Sequence, residues 1–180
     1  MLSPGDVLQF WFGTLSPEQW YAASDDVDAM IAARFGALHV AAARCELFGW
    51  RAAPAGRLAE IIVLDQFSRN IHRGTAAAFA QDALALALAQ EAVAAGADAA
   101  LEPVQRAFLY LPYMHSESAA IHDVALRLFD APGLENNLDF ELKHKAIIDR
   151  FGRYPHRNAI FGRVSTPEED AFLATPGSSF

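Results

Sequence analysis

The chain is expected to be all-helical. Helix-start boxes recur along it, the apolar residues between them repeat at i, i+3 and i+4, and nothing sustains the period-two alternation of a half-buried strand. Its 180 residues suffice for one core, so a single helical domain over 1–180 is expected. Hydrophobic residues make up 53% and charged residues 20%, the balance of a globular chain rather than a disordered one.

The elements follow in order. Ser3-Pro4-Gly5-Asp6, Ser16-Pro17-Glu18-Gln19 and Thr166-Pro167-Glu168-Glu169 each put a hydroxyl at an N-cap. In each, Pro takes the first helical position and an acid or amide the third, where it can reach back to the cap. Val27, Met30, Ile31, Phe35 and Leu38 share one helical face, as do Leu58, Ile61, Ile62 and Asp65. The last of these is a carboxylate where an apolar residue should sit. A long Ala/Leu helix capped by Thr75 is predicted over 75–96. Shorter helices are predicted over 103–111, 116–130 and 136–151, with Pro112 and Pro132-Gly133 as breaks. Ser116 reads as an N-cap. Trp11, Trp20 and Trp50 are expected in the core with the phenylalanines. The closing Thr175-Pro176-Gly177-Ser178-Ser179-Phe180 reads as a tail.

Composition narrows the function classes. A net charge of −8 argues against bulk binding of nucleic acid or of anionic lipid. The first Lys or Arg is Arg34 and no long uncharged apolar run occurs. No signal peptide or membrane span is therefore expected, and the cytoplasm is the expected compartment. Cys45 is the one cysteine and reads as a small buried hydrophobe. His39 and His122 have no partner legible in the sequence.

One motif occurs twice. Asp65-Gln66-Phe67-Ser68-Arg69-Asn70-Ile71-His72-Arg73 and Asp149-Arg150-Phe151-Gly152-Arg153-Tyr154-Pro155-His156-Arg157 agree at Asp, Phe, Arg, His and Arg. Each copy follows an apolar helical run, which suggests two related helix-then-loop units. Asp and Arg four apart pair on a helix, and the loop that follows aims His and Arg at a common point. After Arg73, the start of the next helix would favour an anion. From His144 to Arg163, Lys145, Arg150, Arg153, Arg157 and Arg163 oppose only Asp149, a basic island on an acidic chain. Between the copies, His115-Ser116-Glu117 ends an apolar stretch, and Glu117 is placed to bind an Arg of either copy.

Two readings remain open. In one, the copies form a pocket where Arg69, Arg73, Arg153 and Arg157 grip a small anion or a peptide carboxylate. His72, His115 or His156 would serve as acid or base, with Asp65, Asp149 and Glu117 orienting them. In the other, the charged groups are a buried scaffold inside a helical module that binds proteins or peptides. A metal site built from His72, His115, His156, Asp65 and Glu117 has no His-Glu-x-x-His pattern behind it, and the arginines would repel a cation. Ser116 lies in no Gly-x-Ser-x-Gly elbow. No cofactor is implied, and neither catalysis nor oligomeric state is decided.

Leu64-Asp65-Gln66-Phe67-Ser68-Arg69-Asn70, His115-Ser116-Glu117 and the run Arg150 to Asn158 resemble the bacterial family known as domain of unknown function 924. The opening Val7 to Gly13 and the closing Gly162 to Glu169 resemble its two ends, so the similarity spans nearly the whole chain. Ser68 stands where the family is expected to carry Pro, and Tyr154 where it is expected to carry Phe. The resemblance implies an all-α array similar to tetratricopeptide-type superhelices, and it implies no activity and no catalytic residues. By fold analogy it suggests peptide or protein binding.

Overall fold

The structure is a computed structural model and describes residues 2–178. Among these the chain is helical throughout, with nine α-helices and no strand. They are α1 (Pro4–Leu8), α2 (Pro17–Tyr21), α3 (Asp25–Ala43), α4 (Pro54–Ile71), α5 (Asp82–Ala94), α6 (Pro103–Met114), α7 (Ala119–Phe129), α8 (Glu135–Phe151) and α9 (Pro167–Leu173). All three start boxes form, at α1, α2 and α9. No described helix is long and apolar enough to cross a membrane.

α4 is the axis of the fold. It packs against α1, α3, α5 and α6, so it is buried all round from Leu58 to Ser68. A helix in that position needs apolar residues on every face, which Leu58 to Leu64 supply. Asp65, at 1% exposure, is the exception anticipated from its spacing. Phe35 fills the joint between α3 and α4, its ring 4.9 Å from Phe67 and 5.0 Å from Phe10. Trp11 closes the same core against Phe108 at 5.6 Å, while Trp20 and Trp50 are half-buried against its rim. Ile147, Ile148 and Tyr154 form a second, smaller cluster near the end of α8.

Several boundaries differ from expectation. The helix predicted over 75–96 is a short 3₁₀ turn, Ala76–Phe79, followed by α5. Alanine supports helix at any position, so an Ala run hides where the chain bends. The bend turns Phe79 toward the motif and puts Asp82 at the first position of α5. Pro112 does not stop α6. It sits in the last turn, costs the one bond its missing N–H would make, and the helix closes with His115 N–H on Leu111 O at 3.0 Å. α7 begins after Ser118, and the Ser116 hydroxyl instead accepts the Ser118 N–H at 3.2 Å.

Cys45 is exposed rather than buried. It follows α3 with φ +59°, where Cys45 N–H reaches Ala42 O at 2.8 Å and Glu46 N–H reaches Ala41 O at 2.9 Å. That is a Schellman stop with cysteine where glycine is usual, and it turns the side chain outward. The expected tail folds back as far as it is described: Ser178 is buried and donates to Leu173 O at 3.1 Å. Its last residues, Ser179 and Phe180, lie outside the described residues.

Candidate functional site

The two motif copies are not equivalent. In the first, Ser68 continues the helix, so Arg69 stays one turn below Asp65 and pairs with it at 3.1 Å. In the second, Gly152 takes φ +68° and ends α8, so Arg153 leaves the helix before it can meet Asp149. Asp149 is exposed and pairs with Lys145 at 2.8 Å. Arg153 turns instead to Glu169 of α9, donating twice at 2.6 and 2.8 Å. Glu169 also takes the Thr166 N–H at 2.8 Å and the Asn158 amide at 3.3 Å. The Arg153 hydrogen bonds and the Thr166 N–H hold its carboxyl down at about 2.

Other candidates also lie apart. Arg73 binds Asp28 of α3 through two hydrogen bonds, with Asn70 on the same carboxylate at 2.8 Å. The segment after it is the 3₁₀ turn, so no helix start faces Arg73. His72 caps α4 and its ring lies 5.4 Å from His39. His39 does have a partner, the Ser68 hydroxyl at 2.8 Å. His122 has two: Nε2–H donates to Ser116 O at 2.8 Å and Nδ1 shares a proton with Glu141 at 2.6 Å, both side chains fully buried. Burial pushes the Glu141 carboxyl up. Glu117 binds neither motif copy's arginines but Arg163, in a two-bond fork at 2.7 and 2.9 Å, and accepts the Tyr154 N–H at 2.8 Å.

What the fold does bring together is Asp65 and Arg69 of the first copy, Arg157 of the second, and His115 between them. Asp82 is their meeting point. Arg69 holds both Asp82 oxygens, at 2.9 and 3.0 Å, and also donates to Asp65 O at 2.8 Å. His115 sits at the C-cap of α6, and its Nδ1 contacts Asp65 Oδ1 at 2.8 Å. Burial pushes the Asp65 carboxyl up, but the Arg69 charge, His115 and Gln66 outweigh it and hold it below the usual carboxylate range. Burial and then the Arg69 charge pull His115 below the ordinary imidazole value, against the opposing pull of Asp65.

Arg157 enters from the other side. Pro155 opens a 3₁₀ turn that carries Arg157 inward, and the side chain is 8% exposed. Its guanidinium lies between two aromatic faces, 4.7 Å from the Phe79 centroid and 4.6 Å from that of Tyr154. Its nearest carboxylate oxygen, on Asp82, is 3.7 Å away. Among the described residues nothing hydrogen-bonds the guanidinium, and Nε is buried without a partner. Burial, then the Arg69 charge, lower its proton affinity, yet arginine remains a cation at neutral pH. Tyr154 is held by its hydroxyl on Met114 O at 2.5 Å, and the His144 and His156 rings pack around it at 5.7 and 5.4 Å. Burial depresses those two imidazoles, to about 3 and about 4.

The two best-formed depressions among the described residues lie elsewhere. One is beside Asp130, Pro132 and Glu135, the other beside Lys143, Arg150 and Phe172. Asp82, Phe79, Tyr154 and Glu169 were not among the expected site residues. A lone carboxylate at the head of an Ala/Leu run was the available signal for Asp82.

The chain belongs to the family described as bacterial protein of unknown function, DUF924, whose profile matches residues 7–177. It is similar to a solved structure of a protein of unknown function from Agrobacterium tumefaciens, at 40% identity and a TM-score of 0.91, over 95% of this chain and 96% of that one. No curated protein matches it.

Proposed function

We propose that this DUF924 member binds a small molecule, or the end of a peptide, through a carboxylate or phosphate, and that Arg157 is the anchor. One observation carries the reading: a guanidinium more than nine-tenths buried that no described residue hydrogen-bonds. Formal charges nearby are balanced, with Arg69, Arg157 and Arg163 facing Asp65, Asp82 and Glu117, but the hydrogen bonds are not. Arg69 takes Asp65 and Asp82, and Arg163 takes Glu117. Leaving a buried charged donor unmet costs more than the roughly 1–3 kcal/mol of a neutral one. An anion would meet it, and the planar fork of arginine suits carboxylate and phosphate oxygens alike. The neighbouring groups are part-exposed, including Arg69, Asp82, His115 and Phe79, so solvent reaches the margin of the site.

The test is a thermal-shift titration at low ionic strength with inorganic phosphate in one arm and acetate or a C-terminal dipeptide in the other. Sodium chloride at matched ionic strength is the control. Binding to the native state alone raises Tm with ligand concentration. The expected result is a rise with at least one anion that Arg157→Met abolishes. No rise with either arm, or an equal rise in Arg157→Met, overturns the reading.

A further inference from the structure

His115 differs from the other histidines for which both ring nitrogens can be followed. Its Nδ1 is pinned by a carboxylate that is itself fixed, since Asp65 also meets Arg69 at 3.1 Å and the Gln66 amide at 2.5 Å. An ionised carboxylate only accepts, so the proton on that contact belongs to Nδ1. The lone pair is left on Nε2, which no described residue hydrogen-bonds, and the side chain is 16% exposed, so water reaches it. His122 has a carboxylate too, but its Nε2 is spent on Ser116 O and its ring is sealed. A carboxylate on one ring nitrogen and an open lone pair on the other is the orienter-and-base half of a proton-transfer site. Asp82 joins this pair to the anchor, because its carboxylate acts on His115 from one side and stands 3.7 Å from Arg157 on the other.

We infer that His115 is a general base for hydrolysis of an ester or anhydride whose anionic group Arg157 holds, with Asp65 as its positioning residue. The inference rests on the anion-binding reading. In the step, Nε2 accepts one proton from a water molecule as the water oxygen bonds to the electrophilic carbon or phosphorus. The bond to the leaving oxygen then breaks with its electron pair, and that oxygen takes the proton from Nε2. Nothing is oxidised or reduced, and the imidazole ends as it began. Arg69, already fixed by Asp65 and Asp82, opposes a lasting charge on His115 and keeps it a neutral base at rest.

The experiment pairs histidine ¹⁵N NMR with carbethoxylation by diethyl pyrocarbonate, read by mass spectrometry. In the unaltered protein at neutral pH, His115 should show a protonated Nδ1 and a bare Nε2. It should be modified well ahead of His122, and inorganic phosphate should protect it. Asp65→Asn should scramble the tautomer and slow modification by at least about tenfold, as expected where the orienting carboxylate is lost. A His115 protonated at Nε2 in the unaltered protein overturns the inference without recourse to any variant, as does equal reactivity in a folded Asp65→Asn. Reactive His115 without phosphate protection contradicts the anion reading, whereas a phosphate-induced rise in Tm with His115 unreactive contradicts the base alone.

Discussion

Arg157 stands 3.7 Å from Asp82 because Arg69 already occupies both oxygens of that carboxylate. One arginine from each motif copy thus converges on a single acid, and only the first is hydrogen-bonded by it. Duplication in sequence has produced asymmetry in space.

Opposite stability effects follow for the two members of that contact. Removing Asp82 with Asp82→Asn leaves two guanidiniums short of a partner. The loss should fall toward the lower end of the roughly 3–5 kcal/mol for breaking a buried pair, since about a fifth of each side chain meets water. Arg157→Met removes a charge that nothing hydrogen-bonds and keeps an apolar stem between Phe79 and Tyr154. It should be neutral or stabilising, by up to roughly 4 kcal/mol. Urea denaturation of both variants checks the contrast.

Much of the helical frame was legible because its signals are local. Ser3, Ser16 and Thr166 announce their helices through residues three positions away, and each box forms. Asp65 was legible as an anomaly because its spacing demanded burial. Asp82, Glu169 and Asp28 were not, because each answers an arginine distant in sequence and carries no local mark of it. Cys45 misled for a related reason: apolar neighbours predict burial, but a left-handed stop reverses the side chain.

The divergence of the two copies turns on Gly152. Its φ of +68° is strained for any residue with a β-carbon, although the space beside it is open. Gly152→Ala should therefore cost about 1 kcal/mol, or about 2–4 °C in Tm for a chain of this size, with no effect from crowding. A scanning-calorimetry trace of the variant measures it.

Acid should destabilise the fold in two stages. His144 and His156 have folded values of about 3 and about 4, below the ordinary 6.5. The unfolded chain therefore binds more protons in that window, and their contribution, complete above pH 6.5, is lost as pH falls toward 3. Glu169, depressed from 4.5 to about 2, has the same sign at lower pH. Stability should decline below about pH 6.5 and more steeply below about 4.5. Tm against pH for the unaltered protein and for Glu169→Gln should diverge only in the second window, converging as pH falls toward 2.

Glu141 and His122 should tolerate a neutral bridge. Glu141→Gln can still donate to Nδ1 while Nε2–H stays on Ser116 O, so a small loss is expected. Glu141→Ala leaves a buried imidazole nitrogen unmet, at a cost of roughly 1–3 kcal/mol. The ranking Glu141→Gln above Glu141→Ala in Tm is the measurement.

The most direct test of the account watches the anchor itself. In a ¹H–¹⁵N spectrum of the arginine Nε–H groups, inorganic phosphate is titrated into the unaltered protein at constant ionic strength. The account predicts that the Arg157 signal shifts and saturates while that of Arg153, already held by Glu169, stays in place. An Arg157 signal that never moves, or one that moves no more than that of Arg153, contradicts it.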